Sequence, residues 1–179
     1  MNTENFISLA KSCGFNVAEP LDVNTLEFLE SVREACSADR CRNYGRSWAC
    51  PPACKELGEM RRTVSPYTHG LLLQYVGDRE DSFDFEAMEE AEANCKKAFY
   101  AMIDALKEQK ADFMGMSAGT CTRCESCTYP DAPCRFPDRL YPSLEACGIF
   151  VSGLCKANGV PYYYGDGKIA FTCAVLWKE

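Results

Sequence analysis

The chain has 179 residues, 19 basic and 26 acidic side chains, a net charge of −7, and 13 cysteines. This length suits one domain spanning 1–179 that can bury a core without covalent staples, and the acidic balance argues against binding nucleic acid or anionic membranes by default. No stretch approaches the roughly 18 apolar residues of a membrane span and the first 15 residues lack a basic, then apolar, leader pattern, so the expectation is a cytoplasmic protein whose odd cysteine count serves metal or redox chemistry.

From the N-terminus, the run TENFISLAKSCG predicts a short helix from a Thr3 cap to Gly14, with Phe6, Leu9, Ala10 and Cys13 on one face. Asn24 followed by Glu27 resembles a capping box and predicts a second helix carrying Leu26, Leu29 and Val32 up to Cys36. After an irregular stretch rich in Cys, Arg and Pro, YTHGLLLQYV reads as a buried strand. His69, the sole histidine, stands at its start and reads as a strand-edge residue in preference to a ligand.

The strongest helical signal runs from Phe85 to about Gln109, where Phe85, Met88, Ala91, Cys95, Phe99, Met102 and Leu106 recur at steps of three and four. Cys95 belongs to that core stripe and needs no chemical role. ADFMGMS predicts the next strand, so strand, helix and strand suggest a parallel crossover unit with the following loop at the strand's carboxyl end, where ligand sites of open sheets lie. Ser143 to Asn158 predicts a third long helix, and the apolar runs around Gly165-Asp166-Gly167 predict a hairpin. Repeats and low-complexity linkers are absent from the sequence. The expected fold is α+β, with α/β as the alternative: a single mixed sheet flanked by helices, with cysteine-rich loops at about 36–54 and 118–140.

Four cysteines in the second loop, Cys121, Cys124, Cys127 and Cys134, are spaced C-x2-C-x2-C-x6-C. Structural zinc takes two-cysteine knuckles in separated pairs, because each knuckle fills two corners of one small tetrahedron. A third thiolate three residues further on suits a larger object, and C-x2-C-x2-C is the run that wraps a 4Fe-4S cube in bacterial ferredoxins. Here the fourth cysteine follows after six residues and Pro133 precedes it, a variant of that run. Zinc remains the alternative. In the first loop Cys36, Cys41, Cys50 and Cys54 are spaced C-x4-C-x8-C-x3-C, with a rigid Pro51-Pro52 pair and Gly45 nearby. Between Arg33 and Arg62, seven basic residues face four acids, so guanidinium groups could offset the negative charge of a thiolate-bound cluster. The competing reading is an exposed basic docking face. Arg42, Tyr44 and Arg46 are the candidate cofactor- or substrate-contacting side chains, and the last cysteine of either set could exchange between two clusters.

CRNYGRSWACPP, together with GTCTRCESCTYPDAPCRFPDRLYPSLEACGI, resembles the cysteine-rich predicted metal-binding proteins of anaerobic microbes, and the likeness covers nearly the whole chain. Members usually have three residues between the first two cysteines, where Cys36 and Cys41 are separated by four, and a lysine where this chain has Arg46. The resemblance implies metal binding of the iron-sulfur kind. With one histidine, no Ser-His-Asp set and no phosphate-cradling glycine loop, ordinary acid-base or nucleophilic catalysis has little support. The expected function is a 4Fe-4S electron carrier or accessory to a redox partner protein. The alternatives are an enzyme with an open-iron cluster on Cys36, Cys41 and Cys50, and a structural zinc module.

Overall fold

The computed structural model describes residues 2–178. Helix α1 (Thr3–Cys13) is capped one residue earlier than its sequence suggests: the Asn2 side chain accepts the Asn5 N–H at 3.0 Å, and Gly14, at φ +112°, closes the other end. Strand β1 (Val17–Leu21) follows, then a single 3-10 turn at Val23–Thr25 capped by Asp22. The helix expected from Asn24 is confined to α2 (Glu30–Cys36), because the residues before it are drawn elsewhere. Phe28 bridges to Ile149 and the Leu29 N–H donates to the Gly148 carbonyl at 2.8 Å, so tertiary pairing overrides the capping-box signal.

Helix α3 (Leu57–Val64), strand β2 (His69–Asp78), helix α4 (Phe85–Glu108), strand β3 (Phe113–Met116), helix α5 (Val151–Ala157) and strand β4 (Lys168–Trp177) complete the chain. Among the described residues the strands form one sheet in the order β1-β2-β4-β3, antiparallel throughout where a mixed sheet was expected. The crossover is split: β2 and β3 run in the same direction, but β4 lies between them. It pairs with all ten residues of β2, from His69 opposite Trp177 to Asp78 opposite Lys168, and this long apolar ladder outcompetes direct pairing of β2 with the four-residue β3.

Strand alternation divides the core in two. Leu71, Leu73, Cys173 and Val175 face α1 and α4, packing on Phe6, Phe99, Met102 and Ile103. Leu72, Ala174 and Leu176 face the other side, against Met60, Leu144, Ile149 and Leu154. The α4 stripe holds as read: Cys95 is buried and lies 3.6 Å from Cys173, although Phe85 at its start is exposed. Cys13 packs at the edge of the first cluster, and His69 takes its strand-end position stacked on Trp177. No helix among the described residues is long and apolar enough to cross a membrane.

Two other expectations are corrected. The long helix from Ser143 shrinks to α5, since Ser143 bridges to Ser117 in parallel and Gly148 adopts φ +83°. The hairpin around Gly165 does not form, because residues 161–164 are held by a side chain instead of a ladder: buried Gln74 donates to the Pro161 carbonyl at 2.9 Å and accepts from the Tyr164 hydroxyl at 2.6 Å. A Cβ at Gly148 would meet Leu57 Cδ2 at 2.6 Å and the Leu29 carbonyl at 3.2 Å, whereas Gly159, also at positive φ, has open space around it. Gly148→Ala should therefore cost about 1–3 kcal/mol and Gly159→Ala about 1 kcal/mol or less, measured as shifts in urea midpoint at constant slope.

Candidate metal centre

The sheet delivers both cysteine loops to one end of the molecule. Beyond β3 the chain hydrogen-bonds along a new edge, with the Ser117 N–H donating to the Pro142 carbonyl at 2.8 Å and the Leu144 N–H to the Ser117 carbonyl at 3.1 Å. Gly119, at φ +61°, then turns the backbone against an ion pair between buried Lys96 and half-buried Glu92, with Lys96 Nζ 2.6 Å from Glu92 Oε1. A Cβ at Gly119 would meet that carboxylate oxygen at 2.5 Å, so only glycine lets the loop start here without a shift. Thr120 and Cys121 follow.

The two loops are fastened to each other. Trp48 of the first loop donates its indole N–H to the Ala132 carbonyl at 3.1 Å and meets Tyr129 edge-on at 4.8 Å. Cys50 Sγ lies 3.2 Å from Thr120 Oγ1. Cys127 is the third tie. Partial desolvation raises its thiol, but the N–H groups of Tyr129, Trp48 and Thr128 and the Ser47 hydroxyl are turned on the sulfur and outweigh it, so it lies below the ordinary thiol value.

Cys121, Cys124, Cys127 and Cys134 line a single tight hollow of about 20 Å³ together with Ser47, Trp48 and three arginines, Arg123, Arg135 and Arg139. No carboxylate lines it. Arg123 is fixed by a two-pronged bond to Asp104 (3.1 and 3.2 Å) and lies 3.9 Å over the Tyr100 ring. Its Nε is buried with no hydrogen-bond partner among the described residues. A buried unpaired donor is costly unless an acceptor meets it.

The first loop divides. Cys36, Cys41 and Cys50 line a second, roomier cavity of about 530 Å³, with Tyr44, Thr120, Glu92 and Glu145. Burial raises the Cys36 thiol, as do its neighbours Cys41 and Glu145, while Arg33 lowers it. Burial likewise raises Cys50, partly offset by the Thr120 hydroxyl. Cys54 lines a different cavity, and its thiol donates to the Ala146 carbonyl at 3.6 Å. There burial pushes it up to about 11 against the pull of Arg33. Of the three candidate contacts, Tyr44 lines the 530 Å³ cavity, whereas Arg42 and Arg46 do not; Arg46 pairs with Asp39 at 3.9 Å. Among the described residues no three Cys, His, Asp or Glu side chains stand close enough together to hold one metal ion.

The sequence reading assigns no site role to several residues that line these cavities: Ser47, Trp48, Glu92, Thr120, Arg123, Arg135, Arg139 and Glu145. Arg123 and Arg135 carried a signal, since each lies next to a cysteine of the run. Glu92 carried none, because a solvent-side glutamate four residues before a lysine is ordinary on a helix.

A family described as predicted metal-binding protein (DUF2284) matches residues 19–177, and the chain belongs to that family. No curated protein and no solved structure matches the chain.

Thiol reactivity follows thiolate fraction and access. In metal-free protein at pH 7.5, iodoacetamide should label exposed Cys127 ahead of the other loop cysteines, with Cys54 and buried Cys147 last, both raised by burial. Peptide mass spectrometry over a labelling time course gives the order directly.

Proposed function

We propose that this metal-binding protein holds a 4Fe-4S cluster on Cys121, Cys124, Cys127 and Cys134 and serves as an electron carrier or accessory to a partner redox enzyme. The observation that carries the reading is the second-loop hollow: four thiols, three guanidiniums, no carboxylate and one buried donor without an acceptor. A cluster with four thiolates bears net negative charge and accepts hydrogen bonds at its sulfurs, so it fits both the arginine shell and the unpaired Arg123 Nε–H. The donors already turned on Cys127 would favour its thiolate form in the same way. The C-x2-C-x2-C spacing of the run favours a multi-iron group over a lone zinc ion.

Such a cluster, when bound, supplies one-electron transfer. The residues of the chain set its environment. Arg123, locked by Asp104 and Tyr100, places a fixed positive charge at the hollow, and Trp48 closes it on the side of the first loop. Exposed Phe136 between Arg135 and Pro137 offers an apolar and cationic patch for a partner with an acidic face. Thirteen free cysteines suit a reducing, cytoplasmic setting.

A second reading concerns the first loop. Its cavity collects three thiols while Cys54 faces elsewhere, the donor set of a cluster with one iron left without a cysteine. An enzyme acting on a small molecule would be built this way.

Protein prepared anaerobically with iron supplied should contain about eight iron and eight sulfide per chain if both loops are filled. Cys124→Ser should remove about half, Cys54→Ala little, and Cys95→Ser none, by metal and sulfide analysis. Stoichiometric zinc with negligible iron would reject the assignment. Arg123→Gln should make the midpoint potential of the second-loop cluster more negative by roughly 30–60 mV, a few-fold to tenfold change for one electron, with Arg123→Lys near the parent value. An unchanged potential in the glutamine variant would remove Arg123 from this role.

A further inference from the structure

We infer that the cavity beside Cys36, Cys41 and Cys50 is a binding site for a small organic molecule that is cationic or neutral and nitrogenous, and that it excludes anions. This deepens the second reading above and rests on it for the metal centre alone; the cavity itself is a feature of the fold. Its volume, about 530 Å³, falls in the range of small-molecule sites, and three thiols are among its lining. The remaining walls combine aromatic surface from Tyr44, Tyr162 and Phe171 with two carboxylates, Glu92 and Glu145.

Charge decides the ligand class. No lysine, arginine or histidine lines the cavity. Of the cations around it, Lys96 Nζ lies 2.6 Å from Glu92 and Arg33 donates to the Lys55 and Cys54 carbonyls at 2.8 and 3.4 Å, while Lys97 lines an adjoining cavity. The Glu145 carboxylate, by contrast, makes no ion pair or hydrogen bond among the described residues, and its charge is felt at Cys36. An anion entering here would meet sulfur and carboxylate with no cation on the cavity walls. An ammonium or amidinium group would find a free carboxylate for its N–H donors and aromatic faces for its charge. Arg42 and Arg46, candidate contacts from the sequence, are not on these walls.

Benzamidine and benzoate test this as a pair, since they match in shape and differ in the sign of charge. Calorimetric titration of the anaerobically prepared full chain should show benzamidine binding at least tenfold tighter than benzoate. Glu145→Gln, an exposed position where folding is not at stake, should weaken benzamidine at least fivefold, and Glu145→Lys should reverse the preference. Equal binding of the two probes, binding of neither, or indifference to Glu145→Gln overturns the inference. Iron content of the same sample separates the two claims. Selective benzamidine binding with only about four irons per chain keeps the cavity site and removes the first-loop centre. About eight irons with no charge selectivity keeps the centre and removes the proposed ligand class.

Discussion

The contact between the two cysteine loops is the constraint on which the rest of this end of the molecule depends. Neither loop carries enough aliphatic side chain to hold itself: residues 37–54 and 119–136 form turns and bends with few buried positions. What fixes them is mutual. Trp48 reaches the Ala132 carbonyl and the edge of Tyr129, Ser47 and Trp48 turn donors on Cys127, and Cys50 meets Thr120. Through these ties a residue of the first loop shapes the thiol of the second, so the two hollows are parts of one assembly.

That assembly stands where it does because β4 separates β2 from β3. The ten-residue ladder of β2 with β4 buries both faces of the sheet and leaves β3 as a short edge, whose continuation pairs with residues 142–144 in place of another strand. Ser117, Ala118 and Gly119 then carry the chain away against the Glu92–Lys96 pair, and residues 145–146 return beside it. A direct parallel β2-β3 pair would have left no such edge.

Periodicity made the long elements legible. The α4 stripe, β2 and the placement of Cys95 follow from local pattern, because burial on one face of a long helix or strand repeats in the sequence. The misread segments are those in which a single distant partner decides the conformation. Leu29 answers to Gly148, Ser143 to Ser117, and residues 161–164 to the side chain of Gln74. At the site, cysteine spacing was enough to pick out the thiols of both loops, and the structure arrays seven of the eight around two hollows. Charge was less readable. The basic excess counted between Arg33 and Arg62 suggested guanidiniums around the first loop, yet Arg42 and Arg46 stay off its cavity and the arginine shell belongs to the second.

This exchange of charge gives the two hollows opposite characters. Around the second, Arg123, Arg135 and Arg139 stand beside four thiols and no carboxylate lines the hollow, so thiolate charge gathered there has cations next to it. Around the first, three thiols share a 530 Å³ cavity with Glu92 and Glu145, and no cation lines it. For the cluster proposed above, arginine surroundings would stabilise an added electron. Negative surroundings with room for a guest suit a group that must meet something else. Thr120, hydrogen-bonded to Cys50 and adjacent in sequence to Cys121, lies on the boundary between them. The fold thus places a thiol set among arginines beside one among carboxylates, and Thr120 is one of the ties that join them.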